Sequence, residues 1–220
     1  MAIAYVYDGK LYLAASRHCT LACSFCPKVH GQWNVAGNDM SRDQEPTASQ
    51  LLAAVDALGV PTSMEAAFVG LGEPTFRLDV VCEVGRTLRQ RGHRVRLVTD
   101  GLANLRAGKD VTPALEGCVD EVNVSLNAPD GASYARLCPN RYGPAAHAAV
   151  CAFIRTAQAR LPCVVATVVA APGVDVDACR ALGRTLGVPV RVRPYFDPVT
   201  GSPHEQGTEL LPARGSQDRA

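Results

Sequence analysis

Three cysteines near the amino terminus are spaced closely enough to bind one metal centre. Cys19, Cys23 and Cys26 are separated by three and two residues and follow an apolar, strand-like run. A structural zinc ion takes four protein ligands, so zinc would need His18 or His30 as the fourth. A [4Fe–4S] cluster on three thiolates has one iron without a protein ligand, which is useful only if another molecule binds there. Spacing alone leaves both kinds of site open.

The other six cysteines are scattered singly. The total of nine is odd, and a chain of 220 residues does not need disulfides to fold, so reduced thiols or metal ligands are the better interpretation. Three of the six lie in helical patterns among Val and Ala, where they are expected to be buried small side chains. These are Cys82, Cys151 and Cys179. A second metal cluster would have to use Cys118, Cys138 and Cys163, which include no close pair.

Polar and turn-forming residues follow four later strand-like runs. The segments are Gly70–Pro74, Thr99–Gly101, Ser125–Pro129 and Ala170–Gly173. Active sites of parallel barrels lie on the loops after the carboxyl ends of the strands. We therefore expect these segments and the cysteine segment to converge on one face, with Ser125 and Asn127 alternating inward.

The last predicted strand carries a charged pair. Arg191 and Arg193 alternate along it, and Tyr195 follows two residues later. If that face points into a barrel, a guanidinium there would suit a carboxylate or phosphate on a substrate. Solvated charges on an edge strand are the alternative. Lys28, just beyond the cysteines, is a further candidate for substrate contact, or it only solvates its loop.

The hydrophobic pattern predicts an α/β protein. Two short strands around Asp8-Gly9 form an N-terminal β-hairpin, and continuous apolar runs then alternate with helical patterns, as in a parallel sheet. Six strand–helix units predict a partial (β/α)6 TIM-like barrel, with a flat doubly wound sheet as the alternative. The predicted strands cover residues 3–7, 11–15, 66–70, 95–99, 122–126, 164–170 and 188–192. The predicted helices cover residues 51–58, 78–91, 103–115, 144–160 and 175–186, and residues 31–45 form a polar loop.

Composition limits the possible partners and locations. Hydrophobic residues make up 47% and charged residues 20%, which excludes a disordered chain. No apolar stretch approaches the roughly 18 residues of a membrane span, and the amino terminus is not a secretory signal, so we expect a cytoplasmic protein with no membrane partner. A net charge of +1 gives no indication of nucleic-acid binding. Residues 1–196 are predicted as one core domain and residues 197–220 as a polar, mobile tail.

The cysteine segment resembles the signature of the radical S-adenosylmethionine (SAM) superfamily. That signature has three Cys at this spacing and an aromatic residue before the third, where Phe25 stands. The resemblance implies a (β/α) barrel, a [4Fe–4S] cluster on Cys19, Cys23 and Cys26, and SAM bound to the open iron. It implies reductive cleavage of SAM to a 5′-deoxyadenosyl radical that abstracts hydrogen from a substrate. A flavodoxin- or ferredoxin-type electron donor would supply the electron.

The segment Gly72-Glu73-Pro74 resembles the Gly-Gly-Glu segment of the same superfamily, with Leu71 in place of the first glycine. The resemblance implies that the Glu73 carboxylate binds the amino group of SAM, whereas an ordinary strand-to-helix turn is the alternative. The residues implied to hold SAM are Phe25, Gly72, Glu73, Pro74, Thr99, Asp100, Ser125 and Asn127.

Three segments resemble a smaller subgroup, the TatD-associated radical SAM proteins. They are residues 70–75, 100–105 and 124–130, with Asp100 in place of the Asn expected before Gly101. The substrate stays unidentified, small or macromolecular, and Cys138 and Tyr142 are candidate radical relays. A glycyl-radical-enzyme activase and a 7-carboxy-7-deazaguanine synthase-like modifier of a heterocycle are alternatives in the same class. A zinc or iron–sulfur sensing module is the alternative outside enzymes.

Overall fold

The structure is a computed structural model that describes residues 1–201 of the chain. The strands are β1 (Ala4–Tyr7), β2 (Lys10–Leu13), β3 (Asn34–Val35), β4 (Asn38–Asp39), β5 (Ala66–Phe68), β6 (Val95–Thr99), β7 (Glu121–Ser125), β8 (Val164–Val169) and β9 (Val190–Arg193). The helices are α1 (Ala48–Leu58), α2 (Leu78–Gln90), α3 (Ala103–Ala107), α4 (Thr112–Leu115), α5 (Gly131–Leu137), α6 (Ala145–Gln158) and α7 (Val176–Leu186). Two 3-10 turns cover Pro27–His30 and Pro74–Arg77.

Seven strands form one sheet in the order β1-β2-β5-β6-β7-β8-β9. β1 is antiparallel to β2, and every later pair from β2 to β9 is parallel. Six parallel strands joined through helices, with a hairpin at the amino terminus, confirm the predicted partial barrel. The hairpin turns at Asp8 and Gly9, both at positive φ (47° and 66°), which is the backbone that a tight two-residue turn requires.

The two faces of this sheet differ in chemistry. Alternate residues on one face are apolar and pack beneath α2, α6 and α7, where they form the main core. They include Leu11, Ala66, Val95, Leu97, Val122, Val164 and Ala166, which are less than a tenth exposed. The other face carries Tyr12, Arg96, Asn123, Thr167, Arg191 and Arg193, which line a cavity. The pleat therefore separates a hydrophobic core from a polar, concave face.

Local sequence signals begin and end the main helices. Thr47 and Gln50 form a capping box at the start of α1, and Gly59 ends that helix in the left-handed conformation. Asp175 accepts a hydrogen bond from the backbone N–H of Ala178 at the start of α7 (2.8 Å). These caps place both helices close to the predicted residues.

Three predicted segments differ from the structure. The helix expected over 103–115 is split into α3 and α4, and the loop expected over 31–45 contains the β3–β4 hairpin. Helix α5 was not predicted, because Asp130-Gly131 has the composition of a turn. Here the Asp130 carboxylate instead accepts from the backbone N–H of Ser133 (2.8 Å) and caps the helix.

The described strands and helices end at Arg193. Residues 197–201 form a turn around Asp197, and the rest of the predicted tail, from residue 202 onward, lies outside the described residues. The boundary at residue 196 therefore stays a prediction. No helix within residues 1–201 is long and apolar enough to cross a membrane.

The contact between α7 and β9 tests the packing that positions Arg191 and Arg193. A Cβ on Gly183 would lie 2.1 Å from Val190 Cγ2, so Gly183→Ala should lower the free energy of unfolding by roughly 1–3 kcal/mol. Val190→Ala removes the clashing methyl group. The double variant should therefore be more stable than the sum of the two single effects, by on the order of 1 kcal/mol. Urea unfolding followed by circular dichroism measures this coupling, and strict additivity would contradict the contact.

Candidate active site

The cysteine loop begins directly after β2 and is held by Glu45 at its start. The Glu45 carboxylate accepts from the Ser16 hydroxyl (3.1 Å) and from the backbone N–H of Arg17 (3.0 Å). The backbone N–H of Glu73 donates to the carbonyl of His18 (2.7 Å), which joins the loop to the segment after β5. The first half of the loop is therefore fixed at the carboxyl edge of the sheet.

The second half of the loop is tied to the connection between α5 and α6. The backbone N–H of Ala22 donates to the carbonyl of Pro139 (2.8 Å), and that of Ser24 donates to Leu137 (2.9 Å). Phe25, within this half, is partly buried and packs against the main core.

The three thiols lie in one loop but point into different surroundings. Cys19 is exposed, Cys26 is partly buried, and Cys23 is buried. Burial and the carboxylates of Asp100 and Glu73 raise the pKa of Cys19 to about 12. The pKa of Cys23 is raised mainly by a hydrogen bond with the Cys138 thiol and, to a smaller extent, by burial. The carboxylates beside Cys19 are negatively charged, so a bound cation would favour its thiolate form.

Within residues 1–201, no group of three or more Cys, His, Asp or Glu side chains is arranged so that it could bind a metal ion. The two histidines proposed for zinc have other contacts. His18 Nε2 lies 3.5 Å from Glu45 Oε1, and His30 Nε2 lies 2.7 Å from the carbonyl of Ser24. Cys118 shares the carbonyl of Ala114 with Cys82, apart from the cysteine loop, so the structure gives no support to a second cluster.

Glu73 is a buried carboxylate that joins the ends of two strands. Its Oε1 accepts from the hydroxyls of Thr75 and Thr99 (2.7 Å for Thr99) and from the backbone N–H of Thr75 (3.0 Å). Its Oε2 accepts from the backbone N–H of Asp100 (2.6 Å). Burial, and then the charge of Asp100, raises the pKa of Glu73 to about 7. Thr99 and Glu73, both predicted to hold SAM, are thus hydrogen-bonded to each other.

Arg106 is the cation of this cluster. Its Nη1 lies 3.1 Å from Asp100 Oδ1 and 3.3 Å from the Thr20 hydroxyl, and its Nη2 donates to the hydroxyl of Thr75. Burial raises the pKa of Asp100 and the charge of Arg106 opposes that rise. Because Thr20 follows Cys19, this ion pair connects the cysteine loop to the ends of β5 and β6. The sequence analysis did not identify Arg106, which lies in an ordinary helical pattern.

Gly72 and Pro74 have packing roles. A Cβ at Gly72 would lie 2.1 Å from the carbonyl oxygen of Ser16, so only glycine lets this segment contact the start of the cysteine loop. Pro74 is buried at the first position of its 3-10 turn.

Ser125 lies at the end of β7, and Asn127 lies beyond it, so the inward position predicted for Asn127 stays a prediction. β7 ends at Ser125, which is partly buried, and Asn127 has a left-handed backbone (φ 57°) that breaks the alternation. The buried side chain of Asn127 points to the Cys138 thiol, with 3.6 Å between Nδ2 and Sγ. Asn127 therefore reaches the cysteine loop indirectly, through the pair of Cys138 and Cys23.

Tyr134 lies one helical turn before Cys138. Its side chain is fully buried, and its hydroxyl has no hydrogen-bond partner in the part of the chain that the structure describes. Burial, followed by the charges of Cys138, Asp100, Cys23 and Cys19, raises the pKa of Tyr134. An unpaired donor at this position, near these thiols, fits an iron–sulfur cluster in the loop. Sequence analysis had no signal for it.

Tyr142, which was predicted with Cys138 as a candidate radical relay, is only partly buried. Its hydroxyl accepts from Arg141 (2.6 Å), and the Arg141 guanidinium stands 4.8 Å from the centre of its ring. This places Tyr142 in a local contact with its chain neighbour.

The concave face of the sheet encloses a cavity of about 470 Å³. Its polar lining consists of Lys10, Tyr12, Glu65, Arg96, Asn123, Thr167, Arg191 and Arg193. Arg191 and Arg193 line this cavity from β9, the last strand of the sheet, and both also have exposed surface. Arg96 and Asn123 were missed, although each interrupts a Val-rich strand at an inward position. A second cavity, of about 550 Å³, lies beside Met1 and Glu45 and contains none of the predicted site residues.

Lys28 and Tyr195 are not among the residues that line this cavity. Lys28 Nζ donates to the carbonyl of Arg17 and stands 5.8 Å from the ring centre of Trp33. Its contacts are therefore within the cysteine loop and the segment that follows, and its contact with substrate stays a prediction.

A family model described as the radical SAM superfamily matches residues 13–184. The chain belongs to the radical SAM superfamily. Members of this superfamily use a [4Fe–4S] cluster and SAM as cofactors. The matched residues include the cysteine loop and the six strands β3 to β8.

Solved structures of radical SAM proteins share the fold at low sequence identity. One, "Structure of TYW1 with a lysine-pyruvate adduct bound", has a TM-score of 0.57 at 14% identity over 84% of this chain and 65% of that chain. An archaeal TYW1 has a TM-score of 0.54 at 14% identity over 85% and 65%. Methylornithine synthase (PylB) has a TM-score of 0.55 at 16% identity over 87% and 54%. The chain thus spans less than two thirds of the length of each of these proteins. A separate comparison with curated protein sequences found no match.

Removal of Arg106 tests the charge cluster of this radical SAM domain. Arg106→Ala leaves the buried Asp100 carboxylate, which lies beside Glu73, without its cation and should cost roughly 3–5 kcal/mol of unfolding free energy. Both carboxyls already have raised pKa values, so the folded state retains protons that the unfolded state releases, and stability falls as pH rises from about 5 to 8. Without Arg106 that fall should be steeper.

Arg180→Ala is the matched control, because Arg180 pairs with Asp177 on the exposed surface of α7. It should change stability by less than about 0.5 kcal/mol at either pH. Urea unfolding at pH 6 and pH 8 compares the two variants. Equal losses for both, or a loss at Arg106 that does not grow with pH, would contradict the assigned cluster.

Proposed function

We propose that Cys19, Cys23 and Cys26 hold the [4Fe–4S] cluster and that the enzyme abstracts hydrogen from a substrate bound in the concave cavity. When bound, the cluster and SAM supply a 5′-deoxyadenosyl radical. The observation that carries the proposal is the position of the cysteine loop. It lies at the carboxyl edge of the sheet, where the cavity also extends to Val69 and Arg193, the last residues before two loops of that edge.

The protein contributes a negative environment beside the cysteine loop. Glu73 and Asp100 are two buried carboxyls, and one cation, Arg106, pairs with Asp100. A group with positive charge, such as the amino group or the sulfonium of SAM, would favour the ionised form of Glu73, whose pKa burial raises to about 7. We propose that SAM occupies the space between these carboxyls, the cysteine loop and Ser125, with Phe25, Gly72, Pro74, Thr99 and Asn127 supporting that pocket.

We also propose a subgroup, an electron donor and a cellular compartment for this protein. The three segments at residues 70–75, 100–105 and 124–130 support a relation to the TatD-associated subgroup. A flavodoxin- or ferredoxin-type donor is proposed for the electron, since the chain has no second group of cysteines in series. All nine cysteines are free thiols, which suits a reducing compartment such as the cytoplasm.

Anaerobic reconstitution with iron and sulfide tests the ligand assignment. The wild type should bind about four iron and four sulfide per chain and, with reductant and SAM, release 5′-deoxyadenosine. Cys19→Ala, Cys23→Ala and Cys26→Ala should each lose both properties. Cys179→Ala is the matched control, since Cys179 is fully buried in α7 and should leave iron content unchanged.

The same measurement separates the alternatives. Tightly bound zinc without sulfide would contradict the proposal in favour of a zinc module. A full cluster without formation of 5′-deoxyadenosine would favour an iron–sulfur sensor. Retention of the cluster in Cys26→Ala would remove that cysteine from the ligand set.

A further inference from the structure

The concave cavity has more cations than anions on its wall. Lys10, Arg96, Arg191 and Arg193 line it, against the single carboxylate of Glu65. The net charge of the whole chain is only +1, so this excess is local to the cavity. A concentration of one sign of charge on a low-dielectric wall attracts ligands of the opposite sign.

Two of these cations already have partners. Arg96 Nη2 lies 2.9 Å from Glu65 Oε1, and Arg191 Nη2 lies 3.2 Å from Glu121 Oε1. Asn123 joins them. In the amide orientation that satisfies all its neighbours, its oxygen accepts from Arg96 Nη1 (3.0 Å) and Arg191 Nη1 (3.1 Å), and its nitrogen donates to Glu121 (3.0 Å). Arg96 and Arg191 are therefore held in place by the protein itself.

Arg193 differs from them. Its guanidinium has no ion pair or hydrogen bond with any residue between 1 and 201, although it is the last residue of β9 and faces the cavity. Partial removal from water and the nearby charges of Arg96 and Arg191 lower the pKa of Arg193. A cation that the fold surrounds with like charges and does not pair costs stability. Such a loss of folding stability is typical of residues that bind a ligand.

We propose that Arg193 binds a carboxylate or phosphate group of a small-molecule substrate. The inference rests on the proposed function, since it assigns the substrate class of the same cavity. A volume of about 470 Å³ is in the range of small-ligand pockets, roughly 300–1,000 Å³, and far below what a folded protein substrate needs. The planar guanidinium presents two parallel N–H donors to an oxyanion, and Arg191 stands beside it.

The remainder of the wall suits the non-ionic part of such a molecule. Tyr12, Val69 and Val98 line the same cavity and offer aromatic and aliphatic surface. Because Arg193 and Val69 both lie near the carboxyl edge, the anion is fixed close to the side of the cavity where the cysteine loop lies. The paired guanidiniums of Arg96 and Arg191 belong to residues nearer the amino ends of β6 and β9.

Calorimetric titration of the reconstituted enzyme with inorganic phosphate and with succinate tests this assignment. Experiments are run with SAM present in a constant chloride background. One of the two anions should bind, and the tighter one tells a phosphate substrate from a carboxylate one. Arg193→Gln should weaken that binding roughly ten- to hundredfold. Arg184→Gln, which removes the same charge from the exposed end of α7, should leave it unchanged.

Stability provides an independent reading of the same variant. Arg193→Gln removes repulsion from Arg96 and Arg191 without breaking an ion pair, so its melting temperature should equal or exceed that of the wild type. A structural arginine would give a lower melting temperature, which would overturn the proposal.

Other outcomes also overturn it. They are absence of binding for both anions, equal binding by Arg193→Gln and wild type, and loss of the SAM-dependent change in the cluster signal in Arg193→Gln. The last result would assign Arg193 to the carboxylate of SAM. Failure of the proposed function would look different, since the wild type would then lack the cluster or the release of 5′-deoxyadenosine whether or not an anion binds.

Discussion

The ion pair of Arg106 and Asp100, with Glu73 beside it, holds the carboxyl ends of the strands together. Its members come from the segments after β5 and β6 and from α3, and Thr20 brings in the cysteine loop. A buried pair of carboxyls is costly unless a cation and hydrogen-bond donors satisfy it, so each segment depends on the others. The position of the cysteine loop therefore depends on this charge cluster.

The sheet supplies the second constraint. Its period of two residues puts Val and Leu beneath the helices and Arg96, Asn123 and Arg191 into the cavity, so one set of strands serves both the core and the site. The apolar face can tolerate no charge, whereas the concave face holds several because Glu65, Glu121 and Asn123 pair them. Among the described residues, Lys10 and Arg193 have no such partner, and Arg193 lies at the carboxyl end of β9.

Local signals in the sequence predict much of this. The cysteine spacing, the Asp8-Gly9 turn and the Val-rich strands can be recognised from residues that are adjacent in the sequence. The structure contains the sheet that these strands predict. The left-handed backbone of Asn127 had no signal in the sequence, because no pattern in the segment marks it. Arg106 and Tyr134 were missed because their roles depend on carboxylates and thiols distant in sequence. Arg96 and Asn123 had a visible signal, since polar residues at inward positions of buried strands need partners.

The central claim is that a cluster in the cysteine loop binds SAM at its open iron. Electron paramagnetic resonance of the anaerobically reconstituted, reduced protein tests it most directly, with spectra recorded before and after addition of SAM. The account predicts a [4Fe–4S]⁺ signal whose g values change when SAM is added, because SAM becomes a ligand of the iron that no cysteine holds. A cluster signal that is identical with and without SAM would contradict it.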